Sequence, residues 1–150
     1  MFKSQIGVIG AGACDEGLSC IAETVGREIA KRGALLVCGG LGGVMEAAAH
    51  GAKEEGGTTL GILPGSNRDA ANRYVDIAVL SAMGHARNVL IAQSCDALIA
   101  IDGGYGTLSE IAHALKMGKP VVLLESQWEI KGTHVAHDPA EAVEMVFGFI

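Results

Sequence analysis

A run of five apolar residues, Ala97 to Ile101, passes directly into Asp102-Gly-Gly-Tyr-Gly-Thr-Leu-Ser-Glu110. The run is too short for a helix and has no polar alternation, which suits a strand covered on both faces of a parallel sheet. Gly103, Gly104 and Gly106 leave the backbone free for positive φ and for close contact with a ligand. A helix is expected to start within this turn. Its first amides have no intrahelical partner and its dipole is positive there, so phosphate is the natural guest. Thr107 can bond an anion or cap the helix. Glu110 works on another part of the same ligand, or else completes a capping box, Thr107-x-x-Glu110.

The rest of the chain repeats the strand, glycine turn and helix. Gln5 to Ile9 reads as the first strand, and Gly10-Ala-Gly12-Ala-Cys-Asp15 as its turn, with Asp15 or Ser19 capping a helix that stops at Gly33. The pattern departs from a dinucleotide fingerprint: Asp15 replaces the third glycine, and the second strand, Ala34 to Cys38, ends in Gly39-Gly40 instead of a ribose-binding acid. Gly39-Gly40-Leu-Gly-Gly43-Val-Met45 forms the second glycine turn, and Thr58 to Leu63 a third strand stopped by Pro64-Gly65. Ser66 to Tyr74, with Arg68 and Arg73, is a rim or lid, or a solvated connector. Val75 to Leu80, Ala97 to Ile101 and Pro120 to Leu124 complete about six strands. Glu125 to His137 reads as irregular, and Asp138-Pro139 opens a last helix.

Alternating β and α with short turns gives an α/β, Rossmann-like, doubly wound parallel sheet with helices on both faces. At 150 residues with 49% apolar content, the chain is expected to form one domain over 1–150. Ligands of such sheets bind beyond the carboxyl ends of the strands, where the glycine turns lie. A helix over His85 to Ser94 would place Arg87 in its first turn, where the dipole disfavours a cation. His85, two residues earlier, belongs to the same turn.

A net charge of −6 without any Lys/Arg cluster argues against nucleic acid or an anionic membrane as partner. With no apolar leader and no window long enough to span a bilayer, the expected location is the cytoplasm. The four cysteines show no CxxC spacing, and His134-x-x-His137 has no nearby Cys, so no metal site is expected.

Gly39-Gly-Leu-Gly-Gly-Val-Met45 together with Asp102-Gly-Gly-Tyr-Gly-Thr-Leu-Ser-Glu110 resembles the paired signature of the Lonely-guy (LOG) proteins, long misnamed lysine decarboxylases. That family comprises nucleoside 5′-monophosphate phosphoribohydrolases, which release a free base from AMP or a cytokinin nucleotide. The resemblance implies a catalytic pair, Arg87 and Glu110. It places the ligand on Gly10, Gly12, Gly39, Gly40, Gly43, Met45, Met83, Gly103, Gly104, Gly106 and Thr107, with Met83 against the base. It requires no cofactor. It also implies a homodimer or higher homo-oligomer.

This chain departs from the active hydrolases at Asp102, where they carry Pro, at Ser109, where they carry a second acid, and at His85-Ala-Arg-Asn88, where they read His-Glu-Arg-Lys. These positions, with Gly-Ile-Leu-Pro-Gly65, are more similar to a sister branch that includes molybdenum cofactor carrier proteins. Two functions follow. One is a nucleotide-binding hydrolase that yields base and ribose 5-phosphate, and the other a non-catalytic carrier of the molybdenum cofactor.

Overall fold

The computed structural model describes residues 2–150. Seven parallel strands form one sheet in the order β4-β3-β2-β1-β5-β6-β7. They are β1 (Gln5–Gly10), β2 (Leu35–Cys38), β3 (Thr59–Leu63), β4 (Ile77–Leu80), β5 (Ala97–Ile101), β6 (Val121–Leu124) and β7 (His134–Val135). The helices between them are α1 (Glu16–Lys31), α2 (Val44–Glu54), α3 (Arg87–Ser94), α4 (Tyr105–Lys116) and α5 (Pro139–Phe149). The expected doubly wound sheet is present, with one more strand than the sequence reading gave. β7 pairs His134 with Val122 and Val135 with Leu123 inside a stretch read as irregular. Two residues are too few to show a period.

β5 is buried along its whole length, and its side chains alternate between two cores. Ala97, Ile99 and Ile101 face α1, α2 and α5, through residues such as Ile29, Ala48 and Val143. Leu98 and Ala100 face α3 and α4, through Ile91 and Ile111. Each fully buried Ile or Leu contributes about 1.5–3 kcal/mol relative to exposure. An aliphatic core with few aromatics therefore suffices.

Helices α1 and α2 touch backbone to backbone. A Cβ on Gly26 would overlap the carbonyl oxygen of Ala48, and one on Gly51 would overlap that of Glu23. This close packing sets the spacing of the first two glycine turns, because each precedes one of these helices. Asp15 caps α1, its Oδ1 accepting from the Leu18 amide at 2.8 Å. From β1 the chain winds outward through β2, β3 and β4, then returns to place β5 on the other side of β1. Gly10 and Ile101 are register partners at the carboxyl end of that junction. This is the topological switch point, where sheets of this kind open a crevice.

Candidate functional site

At the switch point lies a cavity of about 280 Å³. Gly10 and Gly12 reach it from β1, Gly39 and Met45 from the β2–α2 turn, and Gly104, Gly106, Thr107 and Glu110 from the β5–α4 turn. Ile9 and His85 complete the wall. Five of the sequence candidates, Gly40, Gly43, Met83, Gly103 and Arg87, do not line it. Gly40 packs beside Leu63, Gly43 lines a neighbouring cavity, and the Gly103 carbonyl accepts from Gln127 Nε2 at 2.8 Å and Trp128 Nε1 at 3.0 Å. Met83 is half exposed and outside the wall. It belongs to the lead into a 3₁₀ turn, Gly84–Ala86, that replaces the first turn of the expected helix.

The capping box is not formed. Helix α4 begins at Tyr105 after Gly104, which provides no side-chain cap, so Thr107 is its third residue and is buried. The amides of Tyr105, Gly106 and Thr107 thus stand at the helix start without intrahelical partners, and Gly106 and Thr107 line the cavity. Such a terminus favours an anion. One turn further in, Glu110 is 7% exposed, and among the described residues no group donates a hydrogen bond to its carboxylate. Burial pushes its carboxyl up to about 8, against the pull of the Arg87 charge.

Arg87 is the first residue of α3, whose start has no side-chain cap, and it is 8% exposed. Its Nη2 donates to the Gly39 carbonyl oxygen at 3.3 Å and its Nη1 to Asn88 Oδ1. Nε is buried, and among the described residues it has no hydrogen-bond partner. Burial lowers the guanidinium pKa, and the nearby Glu110 and Cys38 oppose that shift. A buried donor left unmade costs about 1–3 kcal/mol. The misplaced cation of the sequence reading is thus a half-satisfied one, held behind the cavity wall.

The glycines of this site divide by what a Cβ would meet. At Gly39 it would lie 2.6 Å from Arg87 Nη2 and 2.7 Å from Met45 Sδ, so the guanidinium occupies the room that a side chain would need. At Gly12, Gly104 and Gly106 it would meet nothing within 4 Å. Packing does not demand glycine at these three. All three line the cavity, where a side chain would occupy ligand space.

Two of the departures noted in the sequence meet here. Asn88 Nδ2 donates to Ser109 Oγ at 3.1 Å, and Ser109 Oγ donates to the Gly106 carbonyl oxygen at 2.6 Å. Spacing alone could not pair positions 21 apart. Asp102, the third departure, turns away: it has φ 51° and lines a separate depression with Asp15 and Glu125. Asn72 is another residue that the sequence reading passed over. Its amide donates to the Gly40 carbonyl oxygen at 2.9 Å and its Nδ2 to that of Leu41 at 2.8 Å, which docks the 66–74 loop on the second glycine turn.

Among the described residues, no group of three or more His, Cys, Asp or Glu is placed to hold a metal ion. Among the same residues, no helix is long and apolar enough to cross a membrane.

A profile of the SLOG cluster4 family matches residues 3–146. The chain is 55% identical over 139 residues to an uncharacterized protein of Archaeoglobus fulgidus, covering 93% of this chain and 91% of that one. It is 36% identical over 115 residues to the cytokinin riboside 5′-monophosphate phosphoribohydrolase of Rhodococcoides fascians. That match covers 69% of this chain and 58% of the hydrolase, little over half of its length. Among solved structures, the chain is similar to the molybdenum cofactor binding protein of Rippkaea orientalis, with TM-score 0.94, 37% identity and coverage of 99% and 98%. It is also similar to the molybdenum cofactor carrier protein of Chlamydomonas reinhardtii, with TM-score 0.89, 39% identity and 98% coverage of each chain.

Proposed function

We propose, for a chain that belongs to the SLOG cluster4 family, that the cavity binds a nucleoside 5′-monophosphate and that Glu110 and Arg87 cleave its N-glycosidic bond to free base and ribose 5-phosphate. The observation that carries this reading is the buried pair itself. Glu110 and Arg87 are both more than nine-tenths buried, the carboxyl is without a hydrogen-bond donor and Arg87 Nε without an acceptor, beside an uncapped helix start. Buried titratable groups are normally satisfied by hydrogen bonds; unsatisfied ones cluster where a ligand completes them.

The 5′-phosphate sits on the amides of Gly104, Gly106 and Thr107, and the ribose extends over Gly10, Gly12, Gly39 and Met45. With a pKa near 8, Glu110 carries its proton at neutral pH and delivers it to the departing base nitrogen as the C1′–N bond breaks. The carboxylate so formed lies beside the developing oxocarbenium ion, stabilising charge as it appears. A water then attacks C1′ and returns a proton to Glu110. Arg87 acts from behind Gly39, through its charge on Glu110. No cofactor takes part.

A second reading has its own observation. The likeness to molybdenum cofactor proteins extends over 98% of each of those chains, whereas the hydrolase match spans 58% of the hydrolase. On that reading the same amides and Arg87 carry the molybdenum cofactor without chemistry. Either way the partner is a small phosphate-bearing ligand rather than nucleic acid or membrane, in a single-domain cytoplasmic homo-oligomer. Incubation with a panel of nucleoside 5′-monophosphates, followed by chromatography of the free base, tests the first reading. Tight binding of the molybdenum cofactor with no release from any nucleotide supports the second.

A further inference from the structure

Beside the Glu110 cavity, and sharing Gly12 with it, is a larger one of about 470 Å³ between α1 and α2. Gly12 has no packing reason to be glycine, since a Cβ there would meet nothing within 4 Å. Gly12 stands in the wall of both cavities, so a side chain at that position would lie at their shared boundary. The two cavities together suit a two-part ligand, its phosphate and ribose on one side of Gly12 and a ring on the other.

The second cavity has two carboxylates in its wall, and they differ. Glu23 is engaged on both oxygens, Oε2 by Arg27 Nη2 at 3.2 Å and Oε1 by His50 Nδ1 at 3.2 Å. Glu46 is half-buried, and among the described residues nothing bonds to it. It sits in the first turn of α2. At the far end, His50 stacks on Tyr74 with ring centroids 4.4 Å apart, an aromatic wall for a flat ring.

We propose that Glu46 reads a pair of adjacent N–H donors on the ligand ring, so that this site selects a 2-amino-4-oxo heterocycle, a guanine or a pterin, over adenine. An ionised carboxylate has acceptors only, and its two oxygens match two parallel N–H groups. The ring N–H and 2-amino group of guanine or pterin supply both. Hypoxanthine supplies one. Adenine sets ring nitrogen acceptors beside its single amino group, and these repel a carboxylate. The proposal rests on the phosphate and ribose lying in the Glu110 cavity.

Calorimetric titration of the full chain with GMP, IMP and AMP tests it, with ribose 5-phosphate titrated alongside. GMP and IMP differ only by the 2-amino group, and a hydrogen bond to a charged partner corresponds to about ten- to a hundredfold in affinity. GMP is expected to bind at least about tenfold more tightly than IMP, and Glu46→Ala and Glu46→Gln to bring that ratio close to one. Gly12→Val, with space for its Cβ, is expected to fold and to lose GMP affinity. A wild-type ratio near one, a ratio that survives Glu46→Ala, or unchanged GMP binding in a folded Gly12→Val overturns the proposal. If ribose 5-phosphate binds and all three nucleotides bind equally, the ring selection fails while the phosphate site stands. If neither ribose 5-phosphate nor any nucleotide binds, both fail. Neopterin monophosphate separates the two sources: tighter binding than GMP assigns the edge to a pterin, and weaker binding assigns it to a guanine nucleotide.

Discussion

Asn88 Nδ2 donates to Ser109 Oγ, tying the start of α3 to the second turn of α4 with a neutral pair. Both positions depart from the Lonely-guy pattern, and the fold brings them into contact. Asn88 Oδ1 also accepts from Arg87 Nη1, and Ser109 Oγ donates to the Gly106 carbonyl oxygen. The guanidinium and the β5–α4 turn are thereby held by one chain of hydrogen bonds.

Asn88→Ala should cost about 1–2 kcal/mol in stability and weaken nucleotide binding about tenfold, since it removes one of the two acceptors of Arg87. Asn88→Lys alone places a second buried cation beside Arg87 and should be worse. Joined with Ser109→Glu, it should recover much of the loss. A double-mutant cycle by calorimetry and thermal melting measures the coupling, and strict additivity would refute the shared role.

Gly39→Ala should fold, because the atoms that its Cβ meets first are the far ends of Arg87 and Met45. The guanidinium must then move, so nucleotide affinity should fall by about tenfold or more. Gly33→Ala makes the useful contrast. Gly33 has φ +75° and no Cβ contact within 4 Å, so its substitution should cost stability by backbone strain and leave affinity alone.

How much of this was legible in advance follows from the kind of signal each feature leaves. The strand, turn and helix repeats are local patterns, so the sheet, its winding and the crevice at Gly10, Gly39 and Gly104 could be read directly. β7 carries only two residues and left no period. Arg87 announced itself by standing where a helix start disfavours it, and Glu110 by its place after the glycine turn. The capping box was wrong because α4 starts two residues before Thr107, a boundary that Gly104 sets through backbone conformation alone. Asn88 with Ser109, and Asn72 with Gly40, are contacts between distant segments. No spacing rule reveals them before the fold is known.

Glu110 should also make stability fall with rising pH. Its folded pKa of about 8 lies above the ordinary 4.5, so the folded chain holds this proton more tightly. The contribution is complete below about pH 4.5 and is lost as pH rises through 8. Glu110→Gln keeps the shape without the ionisation. Its unfolding free energy should exceed that of wild type, with a gap that widens from pH 5 to pH 9, on the order of a few kcal/mol at the alkaline end. A gap independent of pH would mean that Glu110 is not held neutral.

The same proton predicts the rate profile. The profile of kcat/KM reports the free enzyme, so kcat/KM for base release should decline as pH rises through about 8, where Glu110 loses the proton that it gives to the leaving base. Arg87 faces Glu110 from α3, so Arg87→Gln should move this limb to higher pH by removing the charge that favours ionisation. A limb that stays in place in Arg87→Gln assigns it to another group.

Whether Glu110 does chemistry or only lines a binding site is decided by one comparison, made on wild type and Glu110→Gln side by side. The quantities are nucleotide affinity and the release of free base with ribose 5-phosphate from GMP and AMP. The expected result is release by wild type that falls at least about a hundredfold in Glu110→Gln, with nucleotide affinity changed by less than about tenfold. Release that survives the substitution, or no release by wild type while nucleotide still binds, contradicts the assignment and leaves a carrier.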